Sequence, residues 1–255
     1  MIQPPIIKPR ATSQSIAFWE GHFNKFTPYK VNSDINREDY SFLKPIIPGI
    51  NGRKILELGC GNGDMSVFMA LNGGIVHAVD NTQGGVRNTL ALAGYNGVNV
   101  SASVMDAGDV DRLGERYDFV VGKMVLHHIE PFREFAAKLR QCMNDGATGL
   151  FYENSSRNRI LIFFRNHLVG RWGVPKYGDN VEIPLEDSEI DALRENFSEV
   201  SITIPKFVFF SMLGSYIFRK SKGLQSFFRR LDEFFYRRVK IFNRYSYHQV
   251  VMFRR

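Results

Sequence analysis

Compact apolar runs alternate with segments of helical period along most of this chain. Lys54–Leu58, Ile75–Val79, Val98–Val104, Tyr117–Val121 and Thr148–Tyr152 are short runs rich in aliphatic residues. Ser66–Leu71, Gly85–Ala93 and Phe132–Met143 fall between them with apolar residues at helical spacing. Such runs predict strands covered on both faces, and their alternation with helices predicts an α/β, doubly wound parallel sheet. Upstream, Gln14–Phe26 and Ile35–Leu43 read as short helices, the second ended by Pro45 and Pro48. Downstream, Arg157–Leu168 reads as an aromatic-rich helix and Val169–Pro184 as a loop. In Asp187–Phe197 the residues Ile190, Leu193 and Phe197 share a helical stripe. Val200–Ile204 and Tyr247–Phe253 are the last two strand candidates. The expected organisation is an N-terminal helical lid segment (1–48), a nucleotide-binding core (49–205 and 246–255) and an inserted helical element (206–245).

Composition narrows the class. The 255 residues include two cysteines, Cys60 and Cys142, too few for a disulfide framework, which points to a reducing compartment. Met1–Ser15 is polar and proline-rich, without the apolar core of a signal peptide. Phe207–Phe218 is shorter than the roughly 20 residues that span a bilayer. A soluble, cytoplasmic protein is expected. Twelve Lys and Arg against Asp232 and Glu233 give residues 206–255 a charge of +10 in a chain of net +7, so the basic character belongs to the C-terminal region alone.

The candidate chemistry lies in Ile55-Leu56-Glu57-Leu58-Gly59-Cys60-Gly61-Asn62-Gly63, a strand running into a glycine-rich turn that opens a helix. Glycines allow a tight turn and a ligand's close approach, although such a loop alone serves any nucleotide or is merely a turn. The dinucleotide fingerprint Gly-x-Gly-x-x-Gly is not met, since Asp64 stands in its sixth position. No Gly-Lys-Ser/Thr follows, which excludes a phosphate-binding P-loop. Glu57, just inside the first glycine, disfavours pyrophosphate and leaves room for a ligand bearing an α-amino group. Asp80 closes the second strand, where an acid can accept both ribose hydroxyls, and Asp106 follows the third, within reach of an adenine amino group. Each acid alone reads equally as a solvated loop residue; the three together, at successive strand ends, mark a nucleoside site.

The ordered set ILELGCGNGD, VHAVDNT, VMDA, YDFVVGKMVLHHI and GLFYEN resembles the successive motifs of class I S-adenosylmethionine (SAM)-dependent methyltransferases, most of all the small-molecule group that includes quinone-biosynthesis enzymes. The resemblance covers Lys54–Asn154. It implies a seven-stranded sheet with an antiparallel last strand, SAM as cofactor and S-adenosylhomocysteine as product. It also implies site roles: Glu57, Gly59, Cys60 and Gly61 at the methionyl end, Asp80 and Asn81 on the ribose, Asp106 and Ala107 on the adenine, and Lys123 and Met124 beside the sulfonium. Lys123 departs from the pattern, carrying a charge where such enzymes often have a small residue.

Methyl transfer to a hydroxyl or an acidic carbon also needs a base. His127-His128 follow the fourth strand, and because adjacent side chains diverge, one of the two is expected to face the pocket. Glu153, at the end of the fifth strand, is a second candidate for orienting an acceptor, or else a structural partner of Arg157 or Arg159. His22 and Tyr29 are candidates for closing over the cofactor. No Cys/His set has zinc-ligand spacing, so no metal is expected. In Leu224–Phe242, Leu224, Phe227, Phe228, Leu231, Phe234 and Phe235 recur at helical spacing, and Arg230, Glu233, Arg237, Lys240 and Arg244 occupy another face. That basic amphipathic helix reads as a lid over the substrate or as a membrane-surface element suited to a lipophilic acceptor, with peripheral contact through 207–244. Nucleic acid is disfavoured because the fourth strand ends in Gly122-Lys123-Met124-Val125 rather than Asn/Asp-Pro-Pro-Tyr/Phe. The expected function is methyl transfer from SAM to oxygen or carbon of a small hydrophobic acceptor. Its rivals are an RNA or protein methyltransferase and a non-catalytic partner subunit of the same fold.

Overall fold

A computed structural model describes residues 13–168, 171, 184–217 and 221–255. Apart from Arg171 and Pro184, the loop expected over Val169–Pro184 lies outside them. Seven strands form one sheet: β1 (Lys54–Leu58), β2 (Ile75–Asp80), β3 (Val100–Val104), β4 (Tyr117–Lys123), β5 (Met143–Asn154), β6 (Ser198–Thr203) and β7 (His248–Arg254). Their order is β3-β2-β1-β4-β5-β7-β6. β7 runs antiparallel to both its neighbours, and the pairs from β3 through β5 are parallel. The expected seven-stranded, doubly wound architecture with an antiparallel last strand is the one found.

Consecutive residues of the central strands belong to opposite cores. Leu56, Val120, Phe151 and Val251 pack on one face, with Phe135 and Leu139 of α4 (Phe132–Gln141) and Leu193 of α6 (Asp187–Asn196). Ile55, Val121, Leu150 and Val250 pack on the other, with Phe68 of α2 (Asp64–Leu71) and Leu92 of α3 (Gln83–Asn96). Two-sided cover is the reason these strands read as unbroken apolar runs rather than as alternating ones. Tyr40, Leu43 and Ile50, from the segment before β1, complete the second core. That segment holds a 3-10 turn over Glu38–Leu43, interrupted at Tyr40, in place of the helix expected over Ile35–Leu43.

β1 and β4 are neighbours although β2 and β3 lie between them in sequence, so the chain reverses direction across the sheet at this point. Loops leaving the C-terminal ends of β1 and β4 diverge and open a crevice. One wall of it is α1 (Ser13–Phe23), which packs on α3 and accepts the Gly84 N–H on Glu20 (3.1 Å).

The insertion forms an α-hairpin, α7 (Phe210–Ile217) and α8 (Lys222–Arg238), followed by a 3-10 turn over Lys240–Tyr245. It packs beside α5 (Arg159–Leu168). The apolar arc of α8 is too wide for one neighbour. Phe228 packs against Gly214 of α7 and Phe235 against Phe207 and Phe210, leaving Leu224, Phe227 and Phe234 exposed.

Candidate active site

The turn after β1 is built by close packing. Gly63 has φ of +83°, and a Cβ there would lie 2.6 Å from Thr89 Cα of α3, so no larger residue fits. Thr89 donates from its hydroxyl to the Gly61 carbonyl (3.1 Å), and Asn88 bridges the Asn62 side chain and the Phe23 carbonyl (2.9 and 2.8 Å). Four of the turn's own amides are already used. Gly59 and Cys60 donate to the Val79 carbonyl, Gly63 to Cys60, and Gly61 to Asp80 Oδ2 (2.9 Å). A phosphate cradle needs such N–H groups facing the ligand. This loop offers an acidic surface instead.

Asp80 also accepts on Oδ1 from the Thr82 amide (3.0 Å) and hydroxyl (2.6 Å), which fixes its carboxylate at the crevice while leaving a lone pair on Oδ2 for a further donor. Behind the turn, Glu57 is buried and accepts the Ser66 hydroxyl. Burial raises its pKa from 4.5 to about 8, with the charges of Asp80 and Asp64 adding to the rise and the Ser66 hydrogen bond opposing it. No ion pair among the described residues involves Glu57. Asp64, which breaks the dinucleotide pattern, anchors the preceding segment by accepting from Tyr29 (2.8 Å), Tyr40 (2.5 Å) and Arg37 (3.1 Å).

The crevice encloses a cavity of about 210 Å³. Gly59, Gly61, Asp80, Asn81, Asp106, Ala107, Lys123 and Met124 line it, so eight of the ten expected cofactor residues come together. Glu57 and Cys60 stand one layer back, and burial pushes the Cys60 thiol well above its ordinary range. Ser15, Trp19 and Phe23 of α1 also line the cavity. His22 and Tyr29, expected to close this site, do not line it: His22 packs edge-on against Trp19 and Tyr29 turns to Asp64. The positions of Trp19 and Phe23 had no signal beyond helical period, because only the docking of α1 on α3 aims them inward. Among the described residues, none of α7 or α8 lines the cavity.

The two histidines separate. His128 lines the cavity, edge-on to Trp19. His127 is buried, with Nδ1 2.6 Å from Glu153 Oε2. Glu153 is fully buried too, and its Oε1 accepts the Val125 and Leu126 amides, each at 2.8 Å. Its partners are thus His127 and the turn after β4, while Arg157 pairs with Asp187. Neither an acceptor-facing Glu153 nor its expected contact with Arg157 or Arg159 is what the structure holds. Met124, just before that turn, has φ of +57°, a strained conformation at the cavity wall. Lys123 places its ammonium 5.4 Å from the Tyr40 ring and 5.9 Å from Tyr152; partial loss of water there lowers its pKa. Among the described residues no cluster of His, Cys, Asp and Glu has the makings of a metal site.

Acids at the ends of β1, β2 and β3, internally spent loop amides and a mostly apolar cavity suit an adenosine carrying a cationic amino-acid tail. Fold and site together are those of a class I SAM-dependent methyltransferase. Residues 55–146 match the family model described as a methyltransferase domain. A ubiquinone biosynthesis O-methyltransferase of Rickettsia bellii is 26% identical over 179 residues, covering 69% of this chain and 71% of that protein. One of Agrobacterium fabrum is 24% identical over 185 residues, covering 67% and 73%. Among solved structures, the N-methyltransferase NodS of Bradyrhizobium japonicum with S-adenosyl-L-homocysteine aligns over 94% of this chain and 97% of its own, with 14% identity and a TM-score of 0.55. The [4+2]-cyclase SpnF aligns over 98% and 97%, with 12% identity and a TM-score of 0.58. At such identities a shared structure speaks for the fold alone, and a cyclase on the same fold shows why.

Proposed function

We propose that this methyltransferase acts on a hydroxyl oxygen, or an acidic carbon, of a small hydrophobic acceptor, with His128 as the base. The observation that carries the reading is the placement of His128 in the cavity wall, its ring tilted against, and 4.1 Å from, a histidine that Glu153 holds from behind. In this reading Asp80 and Asn81 hold the ribose of SAM, Asp106 and Ala107 the adenine, and Gly59 and Gly61 the methionyl end. Cys60 backs the turn, Lys123 and Met124 border the sulfur, and Glu57, one layer back, gives up its proton as the amino group binds. Bound there, SAM supplies a methyl group already activated by its sulfonium. The chain's task is to align the acceptor, exclude water and take up a proton, of which alignment alone contributes roughly 7–11 kcal/mol in well-oriented systems. Trp19, Phe23 and Ile129 give the cavity the apolar wall that water exclusion needs. The similarity to ubiquinone biosynthesis O-methyltransferases supports transfer to oxygen and a quinone-type acceptor.

The reading extends to an anionic membrane surface as the place of work. No helix among the described residues is long and apolar enough to cross a membrane. Leu224, Phe227 and Phe234 nevertheless stand exposed on α8, and Ile241 on the turn after it, beside the exposed cations of Arg229, Arg230, Arg237 and Arg238.

The test is methylation of hydroxylated, alkyl-substituted aromatic acceptors with isotopically labelled SAM. His128→Ala is expected to lower kcat by about 10²–10⁴-fold and to remove the acidic limb of the pH–rate profile, with unchanged affinity for S-adenosylhomocysteine. A variant as active as wild type would overturn the assignment of the base.

A further inference from the structure

A second cavity, of about 500 Å³, lies between the first turn of α5 and the α7–α8 hairpin, and among the described residues it shares none of its lining with the cofactor cavity. Its volume is that of a site for a mid-sized organic ligand. Phe207, Phe209, Phe210, Phe235 and Phe242 form a continuous set of ring contacts around it, with centroids 4.9–6.3 Å apart. The wall is pre-formed. Asp232, buried on α8, accepts the amides of Phe209, Phe210 and Ser211 at 3.1, 2.8 and 2.9 Å, fixing the backbone that carries two of the rings. Apolar surface remains open at the mouth, where Ile160 is 57% exposed and Phe242 43%. An exposed apolar concavity with a polar rim is the usual form of a ligand groove.

Among the described residues of this lining the charged ones are Arg157 and Arg159. Arg157 is engaged by Asp187 through both Nε and Nη2, whereas Arg159 is exposed and makes no ion pair with any described residue. Both lie beside a C-terminal region of charge +10, which strengthens the local attraction for anions. A neutral hydrocarbon would leave this cation unused, and a nucleotide would leave five phenyl rings facing polar groups.

We propose that this cavity binds an amphiphile, an apolar chain ending in a carboxylate or phosphate, with the chain among the phenylalanines and the anion at Arg159. The inference holds whatever the methyl acceptor is, and its test does not pass through activity. Calorimetric titration with hexanoate, octanoate and decanoate, as monomers, should show affinity rising about fourfold for each added methylene. Arg159→Glu should weaken octanoate binding about tenfold while leaving neutral octanol within about twofold, because only the charged head is lost. Ile160→Glu should weaken both ligands. Both substitutions are at exposed positions, and S-adenosylhomocysteine should bind both variants as it binds wild type, which separates loss of this site from loss of the fold or of the cofactor assignment. Affinity independent of chain length, indifference to Arg159→Glu, or competition between decanoate and S-adenosylhomocysteine would each overturn the proposal. A short-chain phosphatidylglycerol, also monomeric, separates a membrane lipid from a free acid as occupant. Tighter Arg159-dependent binding of one identifies the source, and binding of neither sinks the site.

Discussion

Glu57 shows how one residue's surroundings set the behaviour of the whole site. Its folded pKa of about 8 lies above the ordinary 4.5, so the folded chain keeps a proton that the unfolded chain has released between those values. Stability should therefore fall as pH rises from about 4.5 to about 8, by at most roughly 1.4 kcal/mol per unit, and level off above that. Chemical denaturation of wild type and Glu57→Gln across this interval checks it: the difference between the two curves should carry the slope. A ligand bearing an ammonium group favours the ionised acid, so S-adenosylhomocysteine binding near pH 7 should release a proton in wild type and fewer in Glu57→Gln, measurable by calorimetry in buffers of different ionisation heat. Gly63 makes a purely steric prediction. Its φ of +83° and the 2.6 Å approach to Thr89 leave no place for a methyl group, and Gly63→Ala should cost about 2–4 kcal/mol in denaturant unfolding.

At the scale of elements, two buried carboxylates hold segments that would otherwise lack partners. Glu153 on β5 secures the turn after β4, taking the Val125 and Leu126 amides together with His127. Glu153→Ala should release those amides to hydrogen exchange and reduce kcat more than it weakens S-adenosylhomocysteine binding, because the turn positions His128 rather than the cofactor. Asp232 on α8 does the same for the start of α7 with three amides. Asp232→Ala leaves them buried without an acceptor, at about 1–3 kcal/mol for such groups, and protection should be lost first at Phe209–Ser211 while the sheet stays protected. Both acids could be placed on their elements from sequence, but not their partners. Glu153 read as a site residue and Asp232 as one of two acids among twelve cations, since the amides they serve come from elements distant in the chain.

For the molecule as a whole, the proposed contact with an anionic surface rests on the uneven charge, +10 over residues 206–255. Vesicles containing anionic lipid should retain the protein in cosedimentation and release it as salt rises, whereas neutral vesicles should not. Replacing Arg229, Arg230, Arg237 and Arg238 by Glu should abolish retention and leave methylation of a water-soluble acceptor unchanged, since among the described residues none of α8 lines the cofactor cavity. Retention on neutral vesicles equal to that on anionic ones would contradict the electrostatic reading.

The sequence by itself determined the sheet and the location of its chemistry. Apolar runs covered on both faces, punctuated by glycines, are local properties of the chain, and the acids at the ends of β1, β2 and β3 follow from strand ends alone. Most of the expected cofactor residues consequently gather in one cavity. Tertiary structure decided what depends on distant segments meeting. It sorted His128 from His127, because which ring faces the cavity depends on how Glu153 holds the turn. It set Trp19 and Phe23 in the wall, because α1 docks on α3. It also divided the phenylalanines of α8 between a half-buried seam and an open face, because α7 covers only part of an arc that is apolar across a wide angle. Periodicity records that a face is apolar; only packing decides what covers it.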